Sequence, residues 1–276
     1  MVYFCMKIQK KTMKMKRIFG TMILAACICS CSGPEEIRLM SYNVGAFNKD
    51  ENSSVELTAA IVREVGADII GLNEVDSCTN RTGNVDQLAR FADEMGGWGL
   101  NYSKAMPYDG GGYGVGLAWR KDRKNKVLGQ WSLVLDKEDG SEPRALSVVE
   151  FKDFVFATTH LDHRSDSAQL HQSQKITSWM KERYADSDKP VFVVGDFNAR
   201  PDSRTITGFL KDWTQLSGEE FTFSSTDPKG CIDYIFLLKN NASVERLDGG
   251  VCKDLRSGDL GVSSDHLPIW VDVRIK

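Results

Sequence analysis

The chain has 276 residues, enough for one large α/β domain or two small ones, and its 41% hydrophobic and 26% charged residues are ordinary for a globular protein. The first 31 residues carry six Lys or Arg and no acid, which leaves 29 basic and 38 acidic residues in the remainder, a formal net charge of −9. This acidic balance disfavours tight, sequence-independent binding to a nucleic-acid polymer, although it does not exclude a nuclease that meets its substrate through a metal ion.

The N-terminal segment has the pattern of a secretory signal. A basic stretch ending at Arg17 precedes the mostly apolar residues 18–28, a run too short to span a bilayer comfortably. Two tetrapeptides ending at Cys27 and Cys31 resemble the bacterial lipobox, in which the cysteine is lipidated.

We therefore predict a signal peptide with a lipobox over residues 1–31, lipidated at Cys31 with Cys27 as the alternative, and a short tether over 32–36. The protein is expected in the envelope of a bacterium, outside the cytoplasm and lipid-anchored to a membrane. A plain cleaved signal or an N-terminal anchor helix is the competing interpretation.

Three cysteines lie in the body of the chain, at Cys78, Cys231 and Cys252. Their spacing matches no Cys or Cys/His zinc site. A disulfide between two of them would suit a location outside the cytoplasm, but the sequence does not choose the pair.

From Ile37 onward the chain alternates strand-like and helix-like runs without a Pro/Gly/Ser-rich linker, which predicts one domain over 37–276. A mixture of βα units and consecutive strands favours a layered α/β fold with a mixed sheet. In chain order the patterns predict a strand at 37–44, a helix ending at Gly66, a strand at 68–75, a helix near 85–95, strands at 114–120, 127–135, 145–151 and 154–159, a helix at 168–184, a strand at 191–194, a short helix near 203–210, and strands at 232–238 and 267–275.

Polar side chains collect at the predicted strand ends, where ligand crevices form in open α/β sheets. Asp196 and Asn198 follow an apolar strand and share one face, because side chains alternate along a strand; alone, they are equally typical of a turn. Carboxylates and amides without cysteine suit a hard cation such as Mg²⁺ or Mn²⁺, and histidines among acids suit acid–base chemistry near neutral pH. Comparable polar clusters occur at 41–43, 73–76, 159–163, 231–235 and 264–268.

The order of these clusters resembles the endonuclease/exonuclease/phosphatase superfamily, which includes DNase I, AP endonucleases, neutral sphingomyelinases and inositol-polyphosphate 5-phosphatases. The resemblance spans 37–276 and implies a DNase I-like α/β fold, a four-layer α/β/β/α sandwich with two central mixed sheets and a metal at the strand ends. The elements that carry it are Asn43, Glu74, His160, Gly195-Asp-Phe-Asn198, Ile232-Asp-Tyr234 and Ser264-Asp-His266.

The resemblance also implies a role for each matching residue. Glu74 and Asp265 would bind the metal, with Asn43 beside them at the metal or the phosphate. The other matching residues, His160, Asp196, Asn198, Asp233 and His266, form the implied catalytic set.

Within that set, Asp196 would orient and polarise the attacking water while Asn198 holds a phosphate oxygen. Asp233 would pair with His266 and fix its tautomer, and His266 would contact the phosphate or transfer a proton. His160 matches a histidine of the DNase I, sphingomyelinase and 5-phosphatase branches that AP endonucleases lack. Gly45 stands where AP endonucleases carry an acid, so the number of metal ions stays open.

A further resemblance, to a bacterial subgroup with unassigned substrates, rests on residues 80–87 and the glycine-rich stretch 110–114. It suggests substrate contacts from Arg81, Tyr113 and Asn198; the alternatives for the first two are a surface side chain and a hairpin turn.

Together these features predict an extracytoplasmic, Mg²⁺-dependent phosphoesterase, with Mn²⁺ as the alternative ion, that cleaves a phosphodiester by metal-assisted attack of water. We expect a monomer acting on a small molecule, a lipid head group or a nucleic acid. A nuclease acting on DNA or RNA is one alternative, and a non-catalytic binding protein that retains the fold is another.

Overall fold

The structure is a computed structural model that describes residues 35–122 and 126–276. The predicted signal segment, with Cys27 and Cys31, lies outside the described residues. Cys78, Cys231 and Cys252 are free thiols. The described residues include no helix with the length and apolar character that crossing a membrane requires.

The described residues form strands and helices that alternate in βα and ββ units. The strands are β1 (Glu35–Asn43), β2 (Ile69–Ser77), β3 (Gly99–Tyr108), β4 (Gly111–Trp119), β5 (Val127–Leu135), β6 (Arg144–Phe151), β7 (Val155–His160), β8 (Val191–Asp196), β9 (Trp213–Gln215), β10 (Asp233–Leu238), β11 (Val244–Val251) and β12 (Ile269–Ile275). The helices are α1 (Val55–Val65), α2 (Gln87–Glu94), α3 (Asp166–Tyr184), α4 (Arg204–Phe209) and α5 (Leu260–Ser263).

The strands assemble into two six-stranded sheets. Sheet one has the order β11-β12-β1-β2-β4-β3, and sheet two the order β5-β6-β7-β8-β10-β9. Both are mixed, because β1 runs parallel to β2 and β7 parallel to β8 while their other neighbours are antiparallel. The parallel registers place Asn43 beside Asn73 and His160 beside Asp196.

Three apolar cores hold the layers together. The middle core joins the inner faces of the two sheets, with Leu39 and Leu117 from sheet one meeting Phe156 and Phe192 from sheet two. An outer core packs α1 and α2 on sheet one, and another packs α3 and α4 on sheet two. This arrangement confirms the predicted sandwich of two central mixed sheets flanked by helices, with apolar burial as the main stabilising contribution.

The helices begin and end where local sequence satisfies their free backbone groups. Ser54 accepts a hydrogen bond from Leu57 N at the start of α1, and Gly66 ends it in the left-handed conformation. Ser165 caps α3 in the same way through Ala168 N. These caps satisfy donors that a helix terminus otherwise leaves free.

Three strands, β3, β9 and β11, were not predicted from the sequence. β3 is a half-exposed strand without a regular apolar pattern, so periodicity does not reveal it. Its hairpin with β4 turns at Asp109 and Gly110, both with positive φ, which is a turn that an Asp-Gly pair favours. The glycine-rich stretch 110–114 is therefore mostly the beginning of β4.

Candidate active site

The ends of strands from both sheets meet at one edge of the sandwich. β1 and β2 end there in sheet one, and β7 and β8 end there in sheet two. The first residue of β10 pairs with the last residue of β8, because those strands run antiparallel. A network of hydrogen bonds and ion pairs connects the predicted metal-binding and catalytic residues: Asn43, Glu74, His160, Asp196, Asn198, Asp233, Asp265 and His266.

Asn73 connects the two sheets directly beneath these side chains. Its Oδ1 accepts a hydrogen bond from Asp196 N at 3.1 Å, and its Nδ2 donates to Thr159 O at 2.8 Å. Asn73 is fully buried, so both bonds form away from competing water. The side chain thereby sets the position of β8 relative to β2.

Gly195 allows β8 to approach β7 closely just before Asp196. Its φ is +144°, and a Cβ at this position would lie 1.9 Å from Thr159 O. No side chain fits there, so glycine is required for the close approach that positions Asp196.

Asn43 links two carboxylates. Its Nδ2 donates to Glu74 Oε1 at 3.0 Å and to Asp196 Oδ2 at 3.1 Å, while its Oδ1 accepts from Gly45 N at 3.0 Å. In this orientation Asn43 positions the acids and directs its oxygen to its own loop. Its predicted role as a metal ligand stays a prediction.

Glu74 and Asp265 form a pair of carboxylates suited to a hard cation. Both approach one ammonium group, with Lys49 Nζ 3.5 Å from Glu74 Oε2 and 3.3 Å from Asp265 Oδ2. The other Asp265 oxygen, Oδ1, is buried and has no hydrogen-bond partner among the described residues. Carboxylate oxygens with free lone pairs and no sulfur ligand fit Mg²⁺ or Mn²⁺.

His266 lies between two buried acids. Its Nδ1 is 2.9 Å from Asp233 Oδ2, and its Nε2 is 3.6 Å from Asp196 Oδ2. Burial lowers the pKa of His266, but the two carboxylates outweigh that effect and raise it to about 10. Burial raises the pKa of Asp196 to about 7, against the opposing effect of His266. His266 therefore carries positive charge at neutral pH.

The same three residues also satisfy the geometry of a metal site, since their ligand atoms lie within 4.8 Å of one another. His266 already gives both acids a positive partner, however, and Thr222 Oγ1 donates to Asp233 Oδ2 at 2.6 Å. An ion here would have to break these bonds. The Glu74–Asp265 pair is therefore the better position for the metal.

His160 has the opposite electrostatic surroundings. Its Nε2 lies 2.9 Å from Asn198 Nδ2 and 3.5 Å from Asp196 Oδ2, but its Nδ1 faces Arg144 Nη1 at 3.4 Å. Burial holds the pKa of His160 well below its usual value, and the Arg144 charge lowers it further. His160 is therefore neutral at neutral pH.

The predicted substrate-binding residues Arg81 and Tyr113 are neighbours, with Arg81 Cζ 5.8 Å from the Tyr113 ring centroid. The guanidinium of Arg81 donates two hydrogen bonds to the buried carboxylate of Asp76, from Nε to Oδ2 at 2.6 Å and from Nη2 to Oδ1 at 2.8 Å. It also stacks on Tyr108, with its Cζ 4.6 Å from the ring centroid. Burial raises the pKa of Tyr113, with the Glu74 carboxylate adding to this rise and Arg144 opposing it. Tyr113 thus lies near the site, whereas much of the hydrogen-bonding capacity of Arg81 stabilises Asp76.

Sequence reasoning missed Lys49 and Arg144. Lys49 lies in a polar loop after β1, and Arg144 is the first residue of β6, so neither belongs to a strand-end cluster. The sequence has no signal that either side chain reaches the site. Only the folded chain brings them to Glu74 and His160.

The sequence profile of the Endonuclease/Exonuclease/phosphatase family matches residues 40–266, and the chain belongs to this family. The superfamily includes phosphatases, nucleases and phosphodiesterases, which act on phosphoester bonds and typically depend on a divalent metal. None of the curated proteins matches the chain at a significant level.

Solved structures share the fold at low sequence identity. An endonuclease/exonuclease/phosphatase from Bacteroides vulgatus is 19% identical, with a TM-score of 0.72 over 88% of this chain and 100% of that one. A mannosyl-6-phosphatase from Bacteroides thetaiotaomicron is 20% identical, with a TM-score of 0.70 over 86% and 99%. The catalytic domain of human Nocturnin with bound sulfate is 20% identical, with a TM-score of 0.66 over 88% and 97%.

Proposed function

We propose that this protein is a Mg²⁺-dependent phosphoesterase that hydrolyses a phosphodiester by direct attack of water, without a covalent intermediate. The observation that carries the proposal is the buried arrangement of Asp196, His266 and Asp233 beside the Glu74–Asp265 pair. A general base, a charged donor and a cation site then lie within one cluster, which is what hydrolysis of an anionic ester needs.

The catalytic role proposed for each side chain follows from its charge. Asp196 orients the attacking water and accepts its proton, held in place by Asn43 and by the backbone of Asn198. Charged His266, fixed through Nδ1 by Asp233, donates from Nε2 to a phosphoryl oxygen and stabilises the developing negative charge.

The remaining residues hold the phosphoryl group. Neutral His160 lies beside the amide of Asn198, and these two side chains would contact the phosphoryl oxygens. Glu74 and Asp265 would hold the divalent ion, which supplies neutralisation of charge on the phosphoryl and leaving oxygens when bound.

The proposed substrate is a phosphodiester of a lipid or sugar-phosphate head group. The similar mannosyl-6-phosphatase is named for a sugar phosphate, which is a monoester, so a sugar-phosphate monoester is included as a second substrate to be tested beside the diesters. A nuclease is less favoured, because the net charge of −9 after residue 31 offers little attraction to a polyanion. We also propose that the protein works outside the cytoplasm, lipid-anchored through Cys31.

The proposal is tested by assaying residues 32–276 with Mg²⁺ against bis-p-nitrophenyl phosphate, sphingomyelin, inositol phosphates, mannose 6-phosphate and plasmid DNA. Asp196→Ala and His266→Ala should each lower kcat by about 10²–10⁴-fold, because each removes a proton-transfer or charge-stabilising group. His171→Ala, on the exposed side of α3, is the control and should retain full activity. The absence of hydrolysis of every phosphoester with both Mg²⁺ and Mn²⁺ would refute the enzymatic function.

A further inference from the structure

Lys49 places a positive charge inside the proposed metal site. Its Nζ approaches Glu74 Oε2 at 3.5 Å and Asp265 Oδ2 at 3.3 Å, the two carboxylates to which the proposed function assigns the ion. The side chains of all three residues are partly exposed, at 36%, 21% and 38%. The three side chains therefore meet at a solvent-accessible part of the site, which an ion can reach from solution.

The conformation of the loop after β1 leaves room for the Lys49 side chain to reach the two carboxylates. Gly45 has a φ of +53°, and a Cβ there would lie 2.1 Å from Lys49 Cγ, 2.3 Å from its Cε and 2.7 Å from its Cδ. The aliphatic part of Lys49 thus crosses the bare backbone of Gly45, in space that any other residue would fill. Asn43, the last residue of β1, holds this turn by accepting a hydrogen bond from Gly45 N.

The ammonium is charged in this position. A lysine ammonium is protonated at neutral pH, and here two carboxylates face it within 3.5 Å. A charged ammonium and a divalent ion cannot both occupy the space between the same carboxylate oxygens, because they repel each other and need the same lone pairs.

We propose that Lys49 is a resident cation of this site: it pairs Glu74 and Asp265 in the metal-free protein, competes with the divalent ion for them, and is displaced when the ion binds. This inference rests on the metal position in the proposed function. The displaced ammonium stays tethered above Gly45, where it can pair with the anionic phosphoryl group of a substrate. Lys49 thereby sets how tightly the enzyme holds its metal.

The test is Mn²⁺ binding to the full chain in detergent, without substrate, followed by electron paramagnetic resonance and calorimetry. Lys49→Met keeps the length and apolar character of the side chain and removes its charge, so it should bind Mn²⁺ about ten-fold more tightly than the wild type. Lys49→Arg keeps the charge and should bind no more tightly than the wild type. Lys181→Met is the matched control, since it breaks a partly exposed ion pair with Asp212 on the distant helix α3 and should leave Mn²⁺ affinity unchanged.

Thermal unfolding gives an independent readout. In EDTA, Lys49→Met should be less stable than the wild type, because two neighbouring carboxylates lose their positive partner. The increase in Tm on adding Mn²⁺ should be larger in Lys49→Met, since ligand stabilisation grows with affinity.

Equal or weaker Mn²⁺ binding by Lys49→Met would overturn the competition while leaving hydrolysis by the wild type intact. Mn²⁺ binding by Lys49→Met alone would support it strongly. Absence of Mn²⁺ binding in both proteins would overturn it together with the metal assignment of the proposed function. Tighter Mn²⁺ binding by Lys49→Met, with no hydrolysis of any phosphoester by the wild type, would support the competition and count against the proposed function alone.

Discussion

His160 is neutral and His266 is charged, because burial of His160 is reinforced by a neighbouring cation whereas burial of His266 is outweighed by two carboxylates. His266 has the Asp233 carboxylate at its Nδ1, which favours the imidazolium. His160 has the Arg144 guanidinium at the same ring atom, which favours the neutral ring. Arginine donates and does not accept hydrogen bonds, so it cannot stabilise a protonated Nδ1. One histidine is thus a charged donor and the other a neutral polar contact.

The pairing of His266 with Asp233 predicts a specific pH dependence of stability in the metal-free protein. The pKa of His266 is raised to about 10 from about 6.5 in an unfolded chain, so its contribution is fully present below about pH 6.5 and is lost as the pH rises through about 10. Asp233→Asn removes the main carboxylate partner and should make unfolding free energy fall less steeply over this interval. Urea denaturation in EDTA at several pH values measures the difference.

The control is Asp153→Asn, an exposed acid between β6 and β7, which should preserve the wild-type profile. Identical slopes for Asp233→Asn and the wild type would contradict the assignment of Asp233 as the partner that keeps His266 charged.

At the scale of secondary structure, irregular backbone at the strand ends sets the direction of the Glu74 and Asn198 side chains. β2 has a bulge between Leu72 and Val75, and within it Glu74 has a φ of +56°. Asn198, just after β8, has a φ of +48°. Such conformations are costly for residues with side chains and cluster at functional sites, where they direct groups that a regular strand would point elsewhere.

The close approach of β8 to β7 leads to a prediction about Gly195. Gly195→Ala would place a Cβ against Thr159 O, so we expect a loss of more than about 2 kcal/mol of unfolding free energy and displacement of Asp196. Gly208→Ala in α4 is the control: its Cβ would meet only Leu170 Cδ1, at 3.6 Å, and should be neutral or stabilising by up to about 1 kcal/mol. Chemical denaturation compares the two. A Gly195→Ala protein as stable as Gly208→Ala would show that the contact relaxes freely.

At the scale of the whole molecule, the site exists only because two sheets pack face to face. Sheet one contributes Asn43 and Glu74, and sheet two contributes His160 and Asp196. Asn73 and Asn43 carry hydrogen bonds across the junction. Anything that separates the sheets would therefore separate the proposed metal ligands from the proposed base.

The proposed envelope location makes a prediction about the N-terminus. Cys31→Ala should abolish labelling by a radioactive or clickable fatty acid and release the protein from the membrane fraction, because the acyl chains provide the anchor. Cys29→Ala is the matched control and should remain labelled. Loss of labelling in Cys27→Ala with retention in Cys31→Ala would move the lipidation site to Cys27.

Most strands and helices could be predicted from the sequence, because secondary structure and burial leave periodic patterns of apolar residues along the chain. Apolar alternation located most strands and the periodic stripe located α3, and the ordered polar clusters at the strand ends indicated the superfamily, whose profile matches residues 40–266. β3 escaped prediction because its residues lie half-exposed and lack a regular pattern.

The sequence by itself determined the alternation of most strands and helices and the set of strand-end residues, since burial patterns and turn chemistry depend on neighbours along the chain. The two-sheet arrangement was implied only by the resemblance to the superfamily. Only the tertiary structure decided the charge of each histidine, the position of Lys49 between Glu74 and Asp265, and the use of Arg81 to bind Asp76. These properties depend on electrostatic contacts between residues far apart in sequence, and no local pattern encodes such distances.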